Sequence, residues 1–137
     1  MGAFRQVIEI GDPGGRRFEK MEALVDTGAT FTVVPANLLQ RLGVAVQRRA
    51  KFRLADGTVM ERNIGETKIR LDSQEVTTTV VFGEEGEPSL LGVVTLETAL
   101  LAVDPVRKRL IPVEGLMMQT GYLPVKGVLA SPEPLLL

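Results

Sequence analysis

ALVDTGATFTVVP, residues 23–35, carries one carboxylate directly behind an apolar run and continues into another. Ala23, Leu24 and Val25 precede Asp26; Phe31, Val33 and Val34 follow soon after Thr27 and Gly28. The pattern reads as a strand ending at Asp26, with the acid directed toward the core. A lone buried carboxylate costs several kcal/mol unless it is hydrogen-bonded, paired or protonated. The other aspartates have local explanations. Asp12 and Asp104 precede Pro, Asp56 precedes Gly, and Asp72 sits in LDSQ, all of which is turn chemistry. For Asp26 the plain reading is an Asx turn at a strand end, completed by Thr27 and Gly28. The apolar entry and the FTVVP exit make the segment more specific than that.

Composition narrows what such an acid can do. The chain has 137 residues, enough for one domain, and is 45% hydrophobic and 24% charged, as soluble folded chains are. Its net charge of −1 argues against nucleic acid as the main partner, since phosphate binding needs clustered Lys and Arg. No stretch approaches the ~20 apolar residues that span a bilayer, and MGAFRQVIEIGD lacks a secretory h-region. The expectation is a cytoplasmic protein without membrane contact. There are no cysteines and no histidines. That removes disulfides, a thiol nucleophile, Ser-His-Asp catalysis and the commonest zinc ligand. A hydrolase built from this chain must work mainly with carboxylates, and no cofactor or metal is expected.

Along the chain the hydrophobic pattern is mostly period two, punctuated by Gly and Pro, as in small all-β domains. Strands are expected at 4–10 and about 17–25, joined by the Asp12-Pro13-Gly14-Gly15 turn. Pro35 is expected to open a short helix through ANLLQRL, with Gly43 as its stop. RAKFRLADGTVMER reads as a hairpin turning at Asp56-Gly57, and separate strands are expected at about 66–71 and 75–82. Glu84, Glu85 and Glu87 lie in an acidic loop and read as solvated charge. After Leu90-Leu91-Gly92 come a short helix in TLETALL and two strands, LLAVD and RLIPV. From about residue 116 the composition changes to an apolar, Pro-containing tail, either an arm docked on a neighbour or a loose end.

LVDTGATFTVVP resembles the active-site segment of retropepsin-like aspartic proteases, especially the single-domain bacterial ones. The likeness spans roughly residues 4–114 and includes the ADGT hairpin where a flap belongs, the LLG segment and the closing pair LAVDPVRKRLIPV. It implies a mostly β fold: a closed retropepsin-like β-barrel with a flap hairpin and one or two short helices. It also implies a protease domain over residues 1–115, with 116–137 as an arm available to a dimer interface. In that family two such aspartates face each other, share one proton and activate a water against a peptide carbonyl. The resemblance makes Asp26, Thr27 and Gly28 the catalytic motif, and Gly28, Ala29, Asp56, Gly57, Thr58 and Leu91 the substrate-binding positions. Thr27 would tie the two loops together, and Gly28 would allow close backbone approach. The chain has one Asp-Thr-Gly, so the reading requires a homodimer with Asp26 contributed twice. Viral members carry an acid at the position of Thr30 and Arg at the position of Val93; both are replaced here.

The partners implied are a peptide or protein substrate and a second copy of the chain. Two other readings stay open: a retropepsin-like dimerisation or peptide-binding module without turnover, and an unrelated β-sandwich in which Asp26 only makes a turn. Arg48, Arg49, Lys51 and Arg53 read as a solvated strand face or as a preference for acidic substrates.

Overall fold

The computed structural model describes residues 4–117. The arm expected at 116–137 falls, from residue 118 onward, outside the described residues, and Leu116 and Met117 are exposed. β1 (Arg5–Gly11) and β2 (Phe18–Val25) form an antiparallel hairpin with Arg5 opposite Leu24. Ile8 and Ile10 alternate into the interior, and the Asp12 carboxylate closes the turn by accepting the N–H groups of Arg16 and Arg17. β3 (Thr32–Pro35) runs into α1 (Ala36–Arg41), which buries Leu38 and Leu39. Gly43, at φ +76°, lets the chain turn away in the left-handed conformation that ends helices.

β4 (Arg48–Arg53) and β5 (Val59–Leu71) make the expected hairpin around Asp56-Gly57. The expected break before residue 66 is absent: β5 is one strand of 13 residues. Gly65, inside the strand, is a packing solution. A Cβ there would stand 2.4 Å from the Ala45 carbonyl oxygen, which crosses over the strand. β5 turns into β6 (Gln74–Gly83) through Asp72 and Ser73, both at positive φ, as tight hairpins with strand-matched twist require. The acidic loop leads to β7 (Leu90–Leu91), then α2 (Val93–Thr98), and β8 (Leu101–Asp104) pairs with β9 (Arg109–Pro112) as a separate small sheet. Helix α2 starts two residues before the expected TLETALL.

The main sheet has the order β1-β2-β7-β3-β6-β5-β4, and pairing of Glu9 with Arg70 and Ile10 with Ile69 returns β5 to β1. The expected barrel is thus a ring-like sheet, with β4 standing outside the ring as the outer arm of its hairpin. Ile10, Leu39, Ile69, Val80 and Leu91 are fully buried inside it. Burial of this kind contributes roughly 1.5–3 kcal/mol per large side chain. The short strand β7 is the key to the site. It lies parallel to β2 (Val25 opposite Leu91) and antiparallel to β3 (Val33 opposite Leu90), so the loop between β2 and β3 is gripped from both sides. Among the described residues no helix is long and apolar enough to cross a membrane.

Candidate active site

Val25 is the last residue of β2, and Asp26 follows it at the rim of the ring. The sequence directs this acid toward the core; the structure leaves it half-buried, with Thr27 and Gly28 exposed beside it. Ala23 and Val25 are buried while Leu24 is only partly so, and strand alternation carries Asp26 onto the less buried face of Leu24. Asp26 Oδ1 accepts the Gly28 N–H at 2.9 Å, and the Ala29 N–H donates to the Asp26 carbonyl at 3.0 Å. This is the Asx-type turn that Asp-Thr-Gly favours. Among the described residues nothing hydrogen-bonds to Oδ2. A Cβ on Gly28 would lie 3.2 Å from Asp26 Oδ1, so glycine leaves the carboxylate its position.

The loop is anchored mainly through backbone. The Asp26 N–H donates to the Leu91 carbonyl at 3.1 Å, while the Val93 and Val94 N–H groups at the start of α2 donate to the carbonyls of Ala29 and Thr30 at 2.8 and 2.9 Å. Leu91 itself is fully buried, so what it presents to the site is its carbonyl oxygen. Gly92 packs against the loop so tightly that a Cβ would fall 2.5 Å from both C and O of Phe31. Thr30 and Val93 are not bonded to each other; main-chain bonds from Val93 to Ala29 and from Val94 to Thr30 tie their two segments together.

Beneath the loop lies a feature the sequence reading did not single out. Thr32, Thr78 and Thr95 are buried at 0, 3 and 0% exposure, and their hydroxyls form a chain. Thr95 Oγ1 lies 2.6 Å from Thr32 Oγ1 and 3.0 Å from Thr78 Oγ1, and Thr32 Oγ1 accepts the Gly92 N–H at 3.1 Å. Three hydroxyls on β3, β6 and α2 thus satisfy one another in an apolar interior and fix the strand that leaves Asp26. Threonine inside the apolar runs FTVVP and VTTTVVF was the available signal; there it is indistinguishable from ordinary strand preference.

Asp56, Gly57 and Thr58 stand exposed at the tip of the β4–β5 hairpin, apart from the Asp26 loop. The Asp56 carboxylate accepts the Thr58 N–H at 2.9 Å, and this bond holds its pKa below the ordinary carboxylate value. Its side chain is committed to the turn, and the Arg53 guanidinium braces the same turn by donating to the Gly57 carbonyl at 3.0 Å. The hairpin reaches the Asp26 loop through Phe52, whose ring meets Phe31 edge-on at a centroid distance of 6.1 Å. Strand alternation then places Arg49, Lys51 and Arg53 on the opposite face, away from the loop. Arg49 pairs there with Glu61 and Asn63, the behaviour of a solvated face.

The acidic loop needs one correction. Glu85 is exposed, as expected, but Glu87 is not free charge: it forms a two-point ion pair with Arg62 of β5. The Arg62 hydrogen bond holds the Glu87 carboxyl below its ordinary range, and Glu87 holds the guanidinium correspondingly above its own.

A search of the curated proteins finds no match. Among solved structures, the simian foamy virus (mac) protease in solution is similar at 19% identity, covering 69% of this chain and 92% of that chain, with a TM-score of 0.49. Residues 17–98, more than half of the chain, match the family model described as gag-polyprotein putative aspartyl protease. The match takes in the Asp26 loop, the β4–β5 hairpin and α2, so the chain belongs to the retropepsin-like gag-polyprotein aspartyl protease family.

Proposed function

We propose that this protein is an aspartic endopeptidase whose catalytic pair is Asp26 from each of two copies. The observation that carries the reading is the state of Asp26: one oxygen is held by the Gly28 N–H, the other is unpartnered among the described residues, and the carboxylate stands at an exposed rim. A carboxylate so placed, in a chain with no second Asp-Thr-Gly, is completed most simply by its own symmetry mate.

In this reading, the two acids lie close enough to hold one proton between them. The ionised member takes a proton from a water whose oxygen attacks the carbonyl carbon of an extended peptide, and the protonated member donates to the carbonyl oxygen. As the adduct collapses with cleavage of the C–N bond, the departing amine takes the proton gained from water by the first carboxylate. A hydroxyl of the adduct gives its proton to the second as the carboxyl product forms, and the pair returns to its one-proton state. The Gly28 carbonyl, whose N–H is already held by Asp26, offers an acceptor to the substrate strand from below. Ala29 lines the strand with its backbone committed to the loop, and the Asp56–Thr58 tip covers it from above. Thr27, exposed in the single copy, is free to bond across the two-fold axis.

Replacing Asp26 with Asn tests this directly. The amide oxygen can still accept the Gly28 N–H, so stability should change by no more than about 0.5 kcal/mol. Peptide cleavage should fall by on the order of a thousandfold, as expected on losing an acid–base group. Unchanged cleavage in this variant would remove the proposal, and intact peptide binding with no turnover in the parent chain would favour the binding-module reading.

A further inference from the structure

Of the ion pairs among the described residues, Arg62–Glu87 is the most withdrawn from water. Its side chains are 13 and 27% exposed, whereas every other pair has a partner at 47% or more. The contact is bidentate: Arg62 Nε donates to Glu87 Oε1 at 3.2 Å, and Nη2 donates to Oε2. Glu84 Oε1 lies 3.4 Å from the same Nη2 as a looser second acid. Glu87 Oε1 also accepts the Glu84 N–H at 2.8 Å, so the carboxylate that grips Arg62 closes the turn of its own loop.

The two ends of this contact belong to the two halves of the site. Arg62 lies on β5, on the hairpin that ends in Asp56–Thr58, opposite Ala50 and on the Phe52 face. Glu87 lies two residues before Ser89, whose carbonyl accepts the Leu24 N–H at 2.9 Å, and the same segment reaches Asp26 through the Leu91 carbonyl. One side-chain contact therefore joins the hairpin to the segment that anchors the strand leading to Asp26. The Phe31–Phe52 edge contact is a second tie. Of the two, only the ion pair is geometrically specific, because a guanidinium–carboxylate fork fixes both distance and angle.

We propose that Arg62 and Glu87 are a positioning pair, a latch that sets how far the hairpin stands from the Asp26 loop and so governs entry and retention of the peptide; the role in substrate handling rests on the protease reading above. Removing Arg62 leaves Glu87 partly desolvated and unpaired, and removing Glu87 leaves Arg62 only the looser, exposed Glu84; either favours an opened arrangement in which water reaches the remaining charge.

The test uses the full chain and compares wild type with Glu87→Gln, Arg62→Lys and the charge swap Arg62→Glu/Glu87→Arg, with Glu85→Gln as control. Amide hydrogen exchange is read segment by segment, and KM and kcat are measured on an extended peptide. In both single variants, exchange should rise about tenfold in residues 54–58 and 84–89 and stay unchanged in β1, β2 and α1. KM should rise about three- to tenfold with kcat within about twofold, the swap should recover much of the protection, and the control should match wild type. Exchange in both segments within about twofold of wild type would overturn the latch, and so would a uniform rise over the whole chain, which marks general destabilisation. The exchange measurement needs no turnover. A chain that cleaves nothing yet shows the local exchange pattern would sink the protease reading and leave the latch standing.

Discussion

Asp26 acquires its chemical character from its neighbours' backbones. The Gly28 N–H fixes one carboxylate oxygen, and the Leu91 carbonyl fixes the Asp26 N–H. Both depend on close approach, and Gly92 is the residue that permits it. Gly92→Ala would place a methyl 2.5 Å from the Phe31 carbonyl group and 3.0 Å from the Ala29 oxygen, both of them backbone. Backbone cannot rotate aside as a side chain can, so the loop itself must move. We predict a stability loss of about 2 kcal/mol in denaturant unfolding, and peptide cleavage reduced at least a hundredfold. Wild-type activity in a folded Gly92→Ala variant would show that the loop is less constrained than these contacts imply. Much of this was legible in the sequence, because an acid before Thr-Gly inside apolar runs is unusual. The depth of the acid was not. Asp26 shares the partly exposed face of Leu24 and not the buried face of Ala23 and Val25, and an unbroken apolar run does not say which face is the core.

At the scale of elements, tight turns announced themselves and packing did not. Asp56-Gly57 marked its hairpin because turn geometry demands particular residues. The unbroken run of β5 through Gly65 was not legible: the residue is glycine because of the Ala45 carbonyl above it, a contact 20 residues distant in sequence. Arg62 and Glu87, 25 residues apart, were equally invisible as a pair. Their contact carries a pH dependence whose sign follows from the lowered carboxyl. Glu87 titrates below its ordinary value of 4.5 in the folded chain, chiefly through the Arg62 hydrogen bond. The pair therefore stabilises fully above that value, and its contribution is lost as pH falls through the lowered folded value. Thermal unfolding should find Glu87→Gln less stable than wild type at pH 7 by about 1 kcal/mol, a modest figure because one edge of the pair meets water. The difference should shrink as pH falls from the ordinary carboxyl range through the lowered folded value, below which the wild-type carboxyl is itself protonated. A gap that stays constant down to strong acid would assign the loss to packing instead of charge. Asp12, Asp56 and Asp104, each held low by backbone N–H groups of its turn, share the same sign.

For the whole molecule the argument is one of completeness. The sheet closes on itself through the β1–β5 pairing, buries the hydroxyls of Thr32, Thr78 and Thr95 against one another and presents the Asp-Thr-Gly loop at its rim. Among the described residues the remaining aspartates are spent on turns or lie in them, and the sequence holds no second Asp-Thr-Gly. Family membership gives the fold and the chemistry to expect. The symmetric pairing remains our proposal, and it has a quantitative signature. If each active unit needs Asp26 from both copies, mixing wild type with an equal amount of Asp26→Asn and allowing exchange leaves only one pairing in four intact. At constant total protein, cleavage should then fall to about one quarter of the pure wild-type rate, since mixed pairs lack the second acid. If each copy works alone, the same mixture retains about one half, and that result would contradict the shared site.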